Sequence, residues 1–294
     1  MEHKPGEVFD KLYPKIQADL YNLQMDAEEK MLYMYQEAYE SIIVDIAALY
    51  EKYSTDGKLT YSEMTKYHRL KNLEKQISEK MHPRLRKMDE YIKKITIQLY
   101  EESFYQHSIA IQEDVGVELK WGLLREVDIQ DIVNSPLNKL SDSKLLMSDR
   151  INAVYKIRKG ITLGLVRGEG YPEMAKRVKN VIGITESRSG LFTAQKKGLM
   201  YRSTRIVRTE GQRAVVAGQM KSYAWARELG IEVLEVWDAA FDLKVRPEHR
   251  KLNGVEKQEK GWFVRGIGWV EGPLMSGVAE FDIHCRCRVR GKLR

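Results

Sequence analysis

Residues 16–49 read IQADLYNLQMDAEEKMLYMYQEAYESIIVDIAAL, and their apolar positions decide the fold class. Ile16, Leu20, Leu23, Ala27, Met31, Met34, Ala38, Ile42, Ile46 and Leu49 recur at steps of three and four throughout. That spacing places them on one stripe of an α-helix. Tyr33, Tyr35, Tyr39 and Tyr50 flank or widen the stripe, and Ser54-Thr55-Asp56-Gly57-Lys58 ends it with turn chemistry. The Asp56-Gly57 turn lacks the spaced acidic ligands of a calcium loop. Thr60-Tyr61-Ser62-Glu63 then has capping-box form, with Thr60 expected to accept from the Glu63 amide. Leu70, Leu73 and Ile77 carry a second stripe to Met81. Pro83 suits a helix start, and Leu85, Met88, Ile92, Ile95 and Leu99 make a third stripe. Residues 1–125 therefore read as an extended helical arm, a long hairpin or bundle.

Working outward from the arm, 128–148 is rich in Ser, Asp and Asn and contains Pro136, so a connector with short helical pieces is expected. Helical spacing resumes at Ile151, Val154, Ile157, Ile161 and Leu165 and stops at Arg167-Gly168-Glu169-Gly170. Tyr171-Pro172-Glu173 opens another helix, and a longer one spans 193–229, with Gly230 just beyond it. After Gly230 the texture changes. Residues 231–237 are rich in β-branched types and read as a strand, followed by short glycine-punctuated segments. The expected fold is mainly α with a small α+β C-terminal unit. Its segments are an arm over 1–125, a helical segment over 126–229, and a mixed unit over 230–294.

The net charge of +7 is unevenly spread. Residues 1–125 hold 18 Lys and Arg against 22 Asp and Glu, and residues 126–294 hold 31 against 20. A basic second half suits an anionic partner such as nucleic acid, and equally suits a solvated surface. No secretory h-region opens the chain, and no apolar stretch approaches the roughly 20 residues of a membrane span. Two cysteines do not make a secreted disulfide scaffold, and the expectation is synthesis in a cytoplasm.

His249, His284, Cys285 and Cys287 are the residues with metal-ligand character. A zinc ion takes four N or S ligands, and Cys-x-Cys supplies two from one turn. The competing reading has buried thiols and a hydrogen-bonded His249. A strained Cys285–Cys287 disulfide is the least favoured form. His249, Asn253 and His284 imitate a metal-dependent nuclease, without an acidic ligand beside His249. Arg202, Arg205, Arg208 and Arg213 share a helix, with Arg202, Arg205 and Arg213 as candidate DNA contacts and Glu210 as an internal partner in the alternative reading.

From residue 145 to 288 the order of motifs resembles a known family. Arg167-Gly168-x-Gly170-Tyr171 precedes Arg208-Thr209-Glu210 on a long helix. Then come Gly230, Trp237, Asp242, Arg246, His249, Leu252 and Gly254, a Gly272-Pro273 turn, and His284-Cys285-Arg286-Cys287. This resembles the phage Mu F-like head-morphogenesis family of minor capsid proteins. Many members place a second cysteine pair where Arg246 and His249 stand here, so an inherited zinc site keeps only part of its ligands. Some relatives carry toxin domains after Cys-Arg-Cys, and none is expected in the seven residues that follow it here.

The resemblance implies a non-enzymatic minor head protein of a tailed phage or prophage. It would sit in the virion head interior near the portal. Its partners would be the portal, the major capsid or scaffold protein, and packaged double-stranded DNA held non-specifically, with no membrane. Roles in head assembly and DNA ejection follow from the same resemblance. The rival is an enzyme, a nuclease or an ADP-ribosyl transferase, the latter with Arg202, Ser203 and Glu235 in place of the expected set. In the terminal unit, Asp242, Arg246, His249, Cys285 and Cys287 are expected to converge and lock the chain end, with structural zinc as one way of doing so.

Overall fold

The computed structural model describes residues 4–122, 124–134, 143–186, 192–194, 198–240 and 244–294. The chain forms two compact units. One comprises Met1–Ala27, Ile92–Lys139 and Arg205–Arg294, and the other Glu28–Tyr91 and Leu140–Thr204. Residues 1–125 thus contribute to both.

Helix α1 spans Glu7–Tyr53 and α3 spans Arg69–Val115, each about 70 Å long. Between them lie α2, Tyr61–Thr65, and one 3₁₀ turn, Lys66–His68. Pro83 does not open a separate helix; it lies inside α3. A mid-helix proline forfeits one backbone hydrogen bond and crowds the preceding turn. Here Leu73, Ile77 and Met81 before it and Leu85, Met88 and Ile92 after it are all buried on one uninterrupted stripe, and that packing holds the helix through the proline. Thr60 caps α2 as its sequence requires, its hydroxyl accepting from Glu63 N at 3.1 Å. The Glu63 carboxylate does not close the box and pairs instead with Lys66 and Arg69.

The expected connector contains helix α4, Glu126–Asn134, while Pro136 lies outside the described residues. Helix α5, Ser143–Val166, begins earlier than its apolar spacing suggested, and α6 spans Tyr171–Ile182. In this second unit, buried Met31, Tyr35, Ile42 and Ile46 belong to α1, Ile157 and Ile161 to α5, and Met174 and Val178 to α6. Tyr50 Oη donates to the Glu169 carbonyl at 2.7 Å, and Lys80 pairs with Asp45 at 2.6 Å. Strands β1, Ile184–Glu186, and β2, Phe192–Ala194, pair antiparallel.

The first unit is built around α7, Leu199–Glu228, whose later turns are almost wholly buried. Its approach to α3 is backbone-close: a Cβ on Gly218 would lie 2.5 Å from the Tyr100 carbonyl oxygen. Ser103 Oγ donates to the Val215 carbonyl across the same contact at 2.7 Å. Asp114, near the end of α3, accepts from the amides of Gly6, Val8 and Phe9 at 2.7, 2.8 and 3.0 Å. Those are donors that the start of α1 leaves without helical partners. His107 is fully buried against Phe9, Tyr13 and Tyr223. Its Nδ1 lies 2.6 Å from the Ser103 carbonyl, and its Nε2 lies 3.2 and 3.0 Å from the amide nitrogens of Gln17 and Gln219. These partners define a neutral ring, donating from Nδ1 and accepting at Nε2.

Strand β3, Val233–Asp238, pairs antiparallel with β6, Arg288–Leu293, in the register Val233↔Leu293 to Asp238↔Arg288. On the other edge of β3, Trp237 N donates to the Val255 carbonyl at 3.0 Å and Lys257 N to the Glu235 carbonyl at 2.7 Å. Strands β4, Trp262–Val264, and β5, Gly268–Val270, form a hairpin that buries Trp262 and Val264 and exposes the cross-strand pair Phe263 and Trp269. Short helices α8, Pro247–Lys251, and α9, Ala279–Asp282, complete the unit. Among the described residues no helix is long and apolar enough to cross a membrane.

Candidate metal centre and basic face

Pro247 at the first position of α8 presets its backbone, and His249 one turn in points inward, 4% exposed. Beyond α9, the Cys285 amide donates to the Asp282 carbonyl at 3.0 Å, closing a turn in which His284 has φ +58°. From there the chain is extended, and side chains alternate between two faces. Cys285 and Cys287 are buried, while His284 and Arg286 face outward. Both thiols are free, and their Sγ atoms lie 3.4 and 3.6 Å from His249 Nδ1. All three ligand atoms fall within 4.8 Å of one another. Trp237 stands edge-on to the His249 ring at 5.6 Å, and Phe281 lies against it at 5.5 Å.

The thiol pair shares its protons unequally. The Cys285 S–H pointing at Cys287, helped by His249, pulls the Cys287 thiol down to about 5. Hydrogen bonding to Cys287 and burial push Cys285 well above the ordinary thiol range. Burial also raises the Asp282 carboxyl; one of its oxygens is buried without a hydrogen-bond partner among the described residues. A soft, thiolate-bearing N,S,S set suits zinc. The set could supply three of four tetrahedral ligands, and no fourth His, Cys, Asp or Glu joins it among the described residues.

Not every residue singled out in the sequence converges there. His284 does not join the three: it lies in the turn before the extended stretch and its side chain is exposed. The His284 amide donates to Thr209 Oγ1 at 3.4 Å, and partial burial, with the charges of Arg208, Arg205, Arg246 and Arg286, lowers its pKa. Arg246 reaches the turn, Nη2 donating to the Ile283 carbonyl at 2.7 Å. Asp242 lies outside the described residues. Gly254 has φ +78°, which lets its amide turn back to the Trp237 carbonyl at 2.9 Å. Asn253 Oδ1 accepts from the Ala239 amide at 3.0 Å.

Arg213 is not a surface contact for DNA. It is 2% exposed and lies against Glu210, itself 1% exposed, at 2.8 Å, with a second bond to the Ile132 carbonyl. Arg208 is exposed and Arg205 half-buried, and the side chain of Arg202 lies outside the described residues. Glu235 is buried between Arg227 at 2.7 Å and Lys257 at 3.0 Å, and the Ser203 hydroxyl is hydrogen-bonded to that of Tyr35. The ion pairs of Glu235 went unread because its partners lie eight and 22 positions away. Asp282 also escaped notice, since a single Asp beside Phe281 carries no sequence signal of burial.

Residues 155–290 match the family described as Phage Mu protein F like protein. The chain is 28% identical over 276 residues to the minor head protein GP7 of Bacillus phage SPP1, covering 91% of this chain and 82% of that protein. It is 27% identical over 251 residues to a protein of Enterococcus faecalis (strain ATCC 700802 / V583) named NAD(+)--arginine ADP-ribosyltransferase EFV, covering 85% of this chain but only 48% of that protein. No solved structure matches. Residues 155–290 thus resemble Phage Mu protein F like proteins, in a chain that resembles a minor head protein along nearly its whole length.

Proposed function

We propose that this chain is a structural minor head protein of a tailed phage or prophage. It associates with the portal on the inside of the head, contacts packaged double-stranded DNA, and assists head assembly and DNA ejection. The observation that carries the reading is the similarity to GP7, which runs through the helical arm as well as the terminal unit. The enzymatic alternative draws on the transferase-named relative, of which this chain spans about half. Against it, Glu235 is engaged in two buried ion pairs and Ser203 in a hydrogen bond, so neither stands ready for chemistry. Mass spectrometry of purified particles tests the reading: the protein should be present at few copies, and lost from particles assembled without the portal. Its absence from particles, or turnover of labelled NAD abolished by Glu235→Ala, would overturn it.

The terminal unit is proposed to hold a structural zinc ion on His249, Cys285 and Cys287. Such an ion would tie α8 to the turn before β6 and strengthen a small unit. Elemental analysis of protein purified without chelator should give about one zinc per chain. Protein without zinc that refuses added zinc would remove it.

A further inference from the structure

We propose that Arg205, Arg208, Arg246, His284 and Arg286 form one phosphate-binding face through which this protein grips duplex DNA. The inference rests on the DNA contact proposed above and assigns it to residues. Three separate parts of the chain build the face. Arg205 and Arg208 are three apart on α7 and so lie on one side of it. The neighbouring Thr209 hydroxyl accepts from the His284 amide, which docks the 283–287 turn beside that side. Arg246, just before α8, is fastened to the same turn through the Ile283 carbonyl. The alternation that buries Cys285 and Cys287 presents Arg286 outward, and His284 is exposed in the turn before them.

The charges of Arg208, Arg205, Arg246 and Arg286 all act on the His284 ring, in keeping with the contacts that bring the three parts together. Arg205 Nε adds a second observation: it is buried and lacks an acceptor among the described residues. A buried guanidinium nitrogen without an acceptor is costly, and a phosphate oxygen would satisfy it. Arg208, His284 and Arg286 each have a contact of their own within the chain. Guanidinium groups that meet phosphates hold the backbone and carry no sequence preference of their own.

The test uses the full chain and a 30-base-pair fluorescent duplex, with affinity measured by anisotropy across a salt series. Four phosphate contacts imply a log–log salt slope of about −3.6. Arg208→Ala with Arg286→Ala, both at exposed positions, should flatten the slope by about 1.8 and weaken binding at least tenfold at low salt. Arg208→Gln alone should flatten it by about 0.9. The control pair Lys260→Ala with Arg265→Ala removes two exposed charges of the β4–β5 hairpin and should leave both readouts unchanged. If the wild type binds and the Arg208/Arg286 pair matches it, the face is wrong and the DNA contact stands. Equal weakening in both pairs would mean diffuse attraction and would equally overturn the face. A wild type that binds no duplex at low salt removes both the face and the contact.

Discussion

His107 makes stability in the first unit depend on acidity. Its ring is fully buried, and burial is the dominant cause that pushes its pKa from 6.5 down to about 4. In the unfolded chain the same ring protonates near 6.5. Between those values the unfolded state therefore binds more protons, so stability rises with pH across that window. The contribution is fully present above about pH 6.5 and is lost as pH falls towards 4. At roughly 1.4 kcal/mol per pKa unit, the loss comes to about 3 kcal/mol. The five tryptophans, at 121, 225, 237, 262 and 269, all belong to the first unit, so their fluorescence follows the unit that contains His107. Urea unfolding of the wild type and of His107→Gln should be compared at half-unit steps between pH 4 and 7. The variant should start lower, because the Ser103 carbonyl and the Gln17 and Gln219 amides lose their shared partner. Its stability should then fall by about 3 kcal/mol less than the wild type's across the window. Carboxylates titrate in both proteins and cancel in the difference. Parallel curves from pH 7 to 4 would show that His107 is not held neutral and would refute the reasoning.

Glu210→Ala strands Arg213 in the interior and should cost about 3–5 kcal/mol by denaturant unfolding, whereas Glu210→Gln with Arg213→Met should cost distinctly less. Gly218→Val should lower the melting temperature strongly, since even its Cβ would sit 2.5 Å from the Tyr100 carbonyl; a normal melt would mean that α3 and α7 can part at little cost. Asp114→Ala leaves three amides at the start of α1 without their acceptor and should cost about 1–2 kcal/mol, with faster hydrogen exchange at Gly6, Val8 and Phe9. Unchanged exchange there would mean that Asp114 does not hold the helix start.

What the sequence made legible was periodicity. The stripe from Ile16 to Leu49 is one helix as read, and the β-branched run after Gly230 is strand β3. Competition between local signals was harder to read. Pro83 has a strong local meaning, yet the stripe on either side outweighs it, and that balance exists only once the partners are packed. Arg213 looked like a continuation of the arginine row. The five-residue step from Arg208 turns it about 140° round the helix from that residue. Glu210, three residues earlier, was the available signal that it points inward. Strand β6 was also visible in principle, because Arg288, Arg290 and Lys292 alternate with buried Val289, Gly291 and Leu293.

The same alternation decides the metal-like residues and links them to the basic face. Grouping His284 with the cysteines followed residue type, whereas the left-handed turn at His284 separates it from the extended stretch that carries them. Cys285 and Cys287 meet His249, while His284 and Arg286 are exposed and His284 feels the charges of Arg205, Arg208 and Arg246. Sequence distance hid the first meeting, since about 35 residues separate His249 from the thiols. A terminal unit of this size is poorly held by its own apolar burial. Here its last strand also reaches the start of the chain, through Arg290 on Asp10 at 2.7 Å, while Asp238 of β3 accepts from Tyr13 Oη at 3.1 Å. The inward thiols and imidazole fix the turn from within, and those ties fix its sheet against the first helix. A turn held on both sides keeps His284 and Arg286 exposed in a fixed place, which is what the proposed phosphate-binding face requires of it.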